Sequence, residues 1–274
     1  MAVRRWIVPA VLLALTAACA SDGAPTSPPP PDPAPKPLLR DMVVDHLPSP
    51  YYHFEYDTSG RANRASFASD FFVYDLVYSG GRLTEMRNNI LVNHDRLVYA
   101  YDGAGRVATV TYVDDGGTEF ARVHLTYSGR QLVTLERERL VQGAFVVDKT
   151  MSFTYDASGN LFEITQHFPA VGQVQTEATV TDRYEHYDTG INVDGFGLLH
   201  SEFFDHVVLL PDVQLQRGNP GTETRTGDGD NYRVEYTYTY DDQRRPLTKN
   251  GDIVLSNGPN AGQHFPSSTV YSYY

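Results

Sequence analysis

The sequence has only one cysteine among its 274 residues, Cys19. A chain with a single thiol forms no intramolecular disulfide, which excludes a disulfide scaffold. The apolar run from Trp6 to Leu15 contains Pro9 and is shorter than the ~20 residues that a membrane-spanning helix needs. Long stretches with helical periodicity are also missing, so the composition does not favour a helical fold.

The common catalytic motifs are missing as well. There is no Gly-x-Ser-x-Gly elbow, no His-Glu-x-x-His zinc motif, no phosphate loop and no dinucleotide fingerprint. The nine histidines lack metal-ligand spacing, and Asp228-Gly229-Asp230-Asn231 lacks the later glutamate of a calcium loop. We therefore expect no metal, no cofactor and no enzymatic activity. A carboxylate pair of the glycoside-hydrolase kind stays open among the 34 acidic residues.

Basic residues are scarce relative to acidic ones. The formal net charge is −12, from 22 Lys and Arg against 34 Asp and Glu. Phosphate backbones repel a protein of this charge, so we expect no nucleic-acid partner.

The N-terminus has the pattern of an export signal. Residues 1–5 form a basic region, an apolar region follows, and Leu15-Thr16-Ala17-Ala18-Cys19 resembles a bacterial lipobox. In such motifs the cysteine is acylated and becomes the new N-terminus, so residues 1–18 are predicted to be a signal peptide. The resemblance implies a membrane partner through Cys19. Because Ala20 and Ser21 follow without an aspartate, it also implies outer-membrane sorting.

A proline-rich stretch follows the cysteine. Eight of the 17 prolines lie between Ala24 and Pro37, where a packed structure cannot form. We interpret residues 19–37 as the lipidated cysteine with an extended tether, and residues 38–274 as the folded domain.

The folded domain contains a recurring unit. An aromatic residue is followed by a polar turn and then by alternating residues, as in Tyr56-Asp57-Thr58-Ser59-Gly60-Arg61. The anchoring tyrosines are Tyr56, Tyr78, Tyr101, Tyr127 and Tyr155, with a distant copy at Tyr240-Asp241 that lacks the glycine. Each unit is predicted to be a β-hairpin.

Two kinds of turn are predicted. In the longer form an Asp side chain accepts a backbone N–H two residues on, and the final Gly takes the left-handed conformation. The residues with these structural roles are Asp57, Gly60, Asp102, Gly105, Asp156 and Gly159. The shorter units, Tyr78-Ser79-Gly80 and Tyr127-Ser128-Gly129, favour a two-residue primed turn at Ser-Gly.

The Tyr-Asp-x-x-Gly-Arg cores resemble YD (Rhs-type) repeats. Together with the lipobox, they resemble bacterial YD-repeat lipoproteins that carry a domain of unknown function. This resemblance covers most of residues 51–274 and implies an architecture, but it implies no catalytic residues.

The predicted fold is all-β: consecutive antiparallel hairpins form one long, twisted and curved meander sheet of about 10 to 14 strands. The less regular segment 184–232 is expected to cover one face through its apolar residues Phe196, Leu198, Leu199, Phe203, Phe204, Val207 and Leu209. Tyr236, Tyr238 and Tyr240 share one face of a strand and are candidates for an exposed patch that faces a protein or glycan ligand.

The expected function is a non-catalytic, lipid-anchored module of the cell envelope with a binding or structural role. The alternatives are a periplasmic carrier or chaperone for a lipid or other apolar ligand and, third, a glycan-active enzyme.

Overall fold

The computed structural model describes residues 37–193 and 208–274, and these residues form a closed antiparallel β-barrel. Each strand pairs with the next one along the chain, and the last strand pairs with the first. The sixteen strands are β1 (Leu39–Val44), β2 (Tyr52–Tyr56), β3 (Ala62–Phe67), β4 (Phe72–Ser79), β5 (Arg82–Asn88), β6 (Arg96–Tyr101), β7 (Val107–Val113), β8 (Glu119–Ser128), β9 (Gln131–Val141), β10 (Ala144–Tyr155), β11 (Leu161–Phe168), β12 (Ala178–Glu185), β13 (Thr222–Gly227), β14 (Tyr232–Tyr240), β15 (Pro246–Leu255) and β16 (His264–Tyr273).

The all-β prediction is confirmed, but the open meander sheet is wrong. The seam between β1 and β16 closes the sheet, with Leu39 opposite Tyr273 and Met42 opposite Tyr271. Closure pairs the two edge strands that an open sheet would expose.

Repeated bulges explain the closure. In six hairpins the register between the two strands shifts by one residue directly at the inward-facing tyrosine. These tyrosines are Tyr56, Tyr78, Tyr101, Tyr127, Tyr155 and Tyr240. A bulge bends its strand and increases the local twist, and bulges at one level of a sheet add up to curvature. Long and short units share this bulge and differ only in the loop.

The connections of an up-and-down barrel alternate between its two ends. The turns that follow the even-numbered strands β2 to β14 lie at one end, which we call the repeat-turn end. The connections that follow the odd-numbered strands lie at the other end, which we call the loop end. The first strand begins at Leu39, at the repeat-turn end.

The wall separates apolar from polar side chains. Along β7, Val110 and Tyr112 are buried, whereas Thr109 and Thr111 lie on the opposite, outer face. Across the outer face of β3, β4 and β5, Arg64 is opposite Asp75, which is opposite Arg87. The inner faces of β1 to β11 and of β16 contribute to one hydrophobic core.

Part of the segment 184–232 belongs to this core and does not cover an open face. It supplies the end of β12 and all of β13 to the wall, and Val208, Leu209 and Leu210 are buried in the core. The backbone N–H of Leu161 donates to the carbonyl of Leu215, which ties the segment to β11. Phe196, Leu198, Leu199, Phe203, Phe204 and Val207 lie outside the described residues.

Within residues 37–193 and 208–274, no helix is long and apolar enough to cross a membrane.

Candidate functional site on the inner face of β12 to β15

The tyrosines of β14 lie on the inner face of the barrel. Tyr236, Tyr238 and Tyr240 are half-buried, with ring centres 6.3 Å and 6.0 Å apart, while Thr237 and Thr239 are the exposed residues. The sequence predicts the shared face correctly, but the prediction that this face is exposed is wrong. Closure of the sheet turns the tyrosine face inward.

A carboxylate is held between two of the tyrosines of this strand. Glu223 on β13 is directly opposite Val234, so the residues two positions before and after Val234 flank its side chain. The Tyr232 hydroxyl donates to Glu223 Oε1 at 2.9 Å, and the Tyr236 hydroxyl donates to Oε2 at 2.7 Å. Both carboxylate oxygens therefore have a phenolic donor.

These contacts keep both tyrosines protonated. Burial, followed by the negative charge of Glu223, raises the pKa of Tyr232 and of Tyr236 well above the usual range. At neutral pH both phenols are donors, and charge-assisted hydrogen bonds of this kind are stronger than neutral ones.

An ion pair with a buried carboxylate and a half-buried guanidinium lies next to this group. Asp182 on β12 is directly opposite Arg225 on β13, and Arg225 binds both of its oxygens at 2.6 Å and 3.0 Å. Gln166 donates to the same carboxylate at 3.2 Å. The guanidinium also lies 5.2 Å from the centre of the Tyr232 ring, which connects the ion pair to the Glu223 group. Its hydrogen bond to Asp182 raises the pKa of Arg225, so this cation persists at all accessible pH values.

A glycine makes room for the Tyr236 ring. Gly251 on β15 is directly opposite Tyr236, and a Cβ atom there would lie 2.9 Å from the ring and 2.8 Å from Val234 Cγ1. Lys249 lies on the same face, with its ammonium 4.4 Å from the centre of the Tyr236 ring. The ring is thus fixed between backbone and cation.

Tyr240 belongs to a second polar group at the repeat-turn end. Its hydroxyl donates to Asp188 Oδ2, and Asn219 Nδ2 donates to that hydroxyl at 3.1 Å. The Tyr238 hydroxyl donates to the carbonyl of Pro220 at 3.0 Å. Both rings therefore hold the described parts of the segment between β12 and β13.

A third inward-facing polar group lies on β9 and β10. Asp148 occupies a bulge between Val147 and Lys149, and Arg137 binds it through Nε at 2.8 Å and Nη2 at 3.0 Å. Arg139 Nε lies 2.8 Å from Asp148 Oδ2, the oxygen that Arg137 Nη2 also binds. Burial and the neighbouring Arg137 lower the pKa of Arg139. The inward-facing charges of the described strands are thus concentrated on β9 to β15.

The structure places the predicted turn residues in the hairpin loops of the repeat-turn end. Asp57 Oδ1 accepts from the backbone N–H groups of Ser59 and Arg61, and Asp102 and Asp156 accept in the same way. Gly60, Gly105 and Gly159 have φ values of 76°, 83° and 81°. The short turns are two-residue primed turns, centred one residue later than predicted, at Gly80–Gly81 and Gly129–Arg130.

The remaining sequence predictions concern the Asp228 turn, metal binding and Cys19. Asp228 Oδ2 accepts from the backbone N–H of Thr179 at 2.7 Å, as expected of a polar turn. The described residues contain no cluster of His, Cys, Asp and Glu that could hold a metal ion. Cys19 lies outside the described residues.

No family model matches this chain. No curated protein matches it either. Among solved structures, the barrel is similar to a porin-like protein from Bacteroides uniformis, with a TM-score of 0.55 and 12% identity over 81% of this chain and 89% of that one. It is also similar to a porin-like protein from Bacteroides vulgatus, with a TM-score of 0.57 and 13% identity over 86% of this chain and 99% of that one. At this level of identity the likeness shows the closed barrel fold alone.

Sequence reasoning missed the partners of the tyrosines. Glu223 and Arg225 alternate with Thr222, Thr224 and Thr226, a pattern that places both charges on one face of a strand. A pair of charges on the same face as a tyrosine-rich neighbouring strand was the available signal.

Proposed function

We propose that this protein is a non-catalytic binding module of the cell envelope, anchored through an acylated Cys19, with its barrel wall in water. One observation carries the proposal: the outer face of the wall bears threonines and charges, whereas the apolar core lies on the inner face, beside the polar groups of β9 to β15. Barrels that span lipid have the opposite arrangement, with an apolar band outside and polar residues inside.

The outer face of the described strands supports this reading at many positions. Charged residues occupy it on β3 to β5, β8, β9, β11, β12 and β14: Arg64, Asp75, Glu85, Arg87, Arg122, Glu136, Glu138, Glu163, Arg183, Arg233 and Glu235. A charge facing the midplane of a bilayer costs about 2–4 kcal/mol in a barrel, so a wall of this kind favours water. The lipobox then supplies the attachment to the membrane.

The inner surface favours binding over carriage of an apolar ligand. The inner face of β2 to β11 is closed by packed side chains such as Met86, Leu97 and Leu132, all of them fully buried. Half-buried tyrosines and ion pairs line β12 to β15, where a polar group could be recognised. The two similar solved structures are porin-like proteins, which is in keeping with an envelope location.

Metabolic labelling with a radioactive fatty acid tests the anchor. Expression of the full chain should give labelled protein, Cys19→Ser should abolish the label, and Ser21→Ala should keep it as a matched control. Label that persists in Cys19→Ser would contradict the anchor.

Cell fractionation tests whether the outer face of the barrel wall lies in water. The Cys19→Ser chain, exported with a signal peptide that is cleaved without lipidation, should fold and appear in the soluble periplasmic fraction. Folded protein that stays in membranes after an alkaline wash would overturn the water-facing barrel.

A further inference from the structure

The loop end of the barrel displays a group of exposed apolar side chains. Of the ten large hydrophobic residues that the described chain exposes, seven lie in or next to the loop-end connections: Leu47, Phe71, Leu91, Val92, Leu140, Val174 and Phe265. Leu91 and Val92 are 94% and 87% exposed, and Val174 is 79% exposed. Isolated exposed apolar residues are ordinary, but a concentration at one end marks an interaction surface.

Four of these side chains form one arc. Leu47, Phe71, Leu91 and Val92 come from three successive connections, β1–β2, β3–β4 and β5–β6. Successive connections at one end of a barrel are two strands apart, or about 10 Å. These four side chains are therefore close enough to one another to contact a single partner protein.

The charge of the same end identifies the partner. The eight loop-end connections contain eight acidic residues and neither lysine nor arginine; the acids are Asp45, Asp70, Asp95, Asp114, Asp115, Glu177, Asp228 and Asp230. Anionic lipid surfaces repel such a rim. A protein surface with basic residues around apolar side chains complements it in both respects.

A recess beside the arc offers a place for a partner side chain. It has a volume of about 440 Å³ and includes Asn89 and His94 from the β5–β6 loop and Asp114 and Asp115 from the β7–β8 loop. Arg87 and Arg96 also line it, from the strands below.

We propose that the loop end is a docking surface for a basic partner protein, with Leu91 and Val92 as its apolar contacts. The first strand of the barrel begins at Leu39, at the opposite end from this surface. This inference deepens the proposed binding role but does not depend on the acylation of Cys19.

Photo-crosslinking in living cells tests the surface. A benzoylphenylalanine at position 91 of the full chain should yield one protein adduct, whereas the probe at Leu247, exposed at the repeat-turn end, should not. The double variant Asp70→Asn/Asp115→Asn should lower the adduct yield at least fivefold, because it removes two loop-end charges without changing side-chain shape. The partner, identified by mass spectrometry, should carry an excess of Lys and Arg.

Equal adducts at positions 91 and 247, no adduct at 91, or an adduct insensitive to the two Asp→Asn changes would each overturn the proposal. A lipid occupant is tested separately with the Cys19→Ser chain carrying Leu91→Trp. Its tryptophan emission should stay unchanged with phosphatidylcholine and phosphatidylglycerol vesicles, and a blue shift with either would assign the surface to lipid. Loss of the acyl label in Cys19→Ser is a distinct readout, so failure of the anchor and failure of the docking surface can be told apart.

Discussion

The hydroxyl of Tyr101 donates a 2.7 Å hydrogen bond to the backbone carbonyl of Leu83, in the preceding repeat. The guanidinium of Arg82 lies 5.1 Å from the centre of the Tyr101 ring. The same tyrosine-to-carbonyl bond recurs around the barrel, from Tyr56 to Leu39, Tyr78 to Ala62, Tyr127 to Val107, Tyr155 to Leu132 and Tyr273 to Pro246. The repeat tyrosine therefore joins neighbouring hairpins.

Removing one of these hydroxyls should weaken the barrel. Tyr101→Phe leaves the Leu83 carbonyl without its side-chain donor, and we expect a loss of about 1 kcal/mol in the free energy of unfolding. Denaturant titration followed by circular dichroism measures it. Thr237→Val, on the outer face, is the control and should change stability by less than about 0.5 kcal/mol. An equal effect of the two substitutions would argue against the tyrosine bond.

The turn of the C-terminal repeat contains a strained backbone conformation that a substitution can relieve. In its turn, Arg244 has a φ of 63°, where the other long turns have glycine. A non-glycine residue in this region costs about 1–2 kcal/mol, partly offset by the greater entropy of glycine in the unfolded chain. Arg244→Gly should therefore stabilise the protein by about 0.5–1 kcal/mol in the same titration.

The reverse change supplies the control. Gly105→Ala should destabilise the barrel, because φ is +83° and the new Cβ would lie 2.7 Å from Arg82 Nη2. Stabilisation by Gly105→Ala, or destabilisation by Arg244→Gly, would contradict this account of the turns.

The turns could be predicted from sequence because Asp and Gly act within a few residues of one another. The carboxylate of Asp102 reaches Ala104 and Arg106, and Gly105 supplies the positive φ. Closure could not be predicted in this way. The residues that the bulges leave unpaired, such as Asn63, Thr84 and Ala108, share no chemical signature, yet their summed curvature brings β1 to β16.

Only part of the candidate site could be predicted from the sequence, for a related reason. Alternation along β14 separates its tyrosines from its threonines, but both residue types favour strands, and alternation does not say which face is inside. Closure of the barrel decides which face of β14 lies inside. The pairing of Glu223 with Tyr232 and Tyr236 depends on the register between β13 and β14, which a single sequence does not specify.

High pH should unfold the protein through its tyrosines. Burial raises the pKa of Tyr78, Tyr127 and Tyr155 to about 12, above the value of about 10 in an unfolded chain. A raised folded-state pKa gives stability that is fully present below pH 10 and is lost as the pH rises through 12. Tyrosinate absorbance should therefore rise in one cooperative step with the loss of β-sheet circular dichroism. Gradual ionisation of most tyrosines in a folded barrel would contradict burial.

The Glu223 group should behave as a coupled unit. Glu223→Gln removes the charge that accepts from Tyr232 and Tyr236, and we expect a loss of about 1–3 kcal/mol, with a smaller further loss when Tyr236→Phe is added. Glu235→Gln is the matched control, because Glu235 lies on the outer face with its side chain 74% exposed. Additive effects of Glu223→Gln and Tyr236→Phe in the double-mutant cycle would show that the two side chains do not interact.

The seam between β1 and β16 can be tested with a designed disulfide. Val43 and Val270 are directly opposite each other across the seam, at a separation of about 4.5–5.5 Å that suits a disulfide. In a chain that also carries Cys19→Ser, Val43→Cys/Val270→Cys should oxidise to a species with altered non-reducing gel mobility and higher stability. Val43→Cys/Val254→Cys is the control, because Val254 lies one strand further from the seam, on β15 opposite His264, and should stay reduced. A sheet with unpaired ends would leave both cysteine pairs reduced, and that result would show that the barrel does not close.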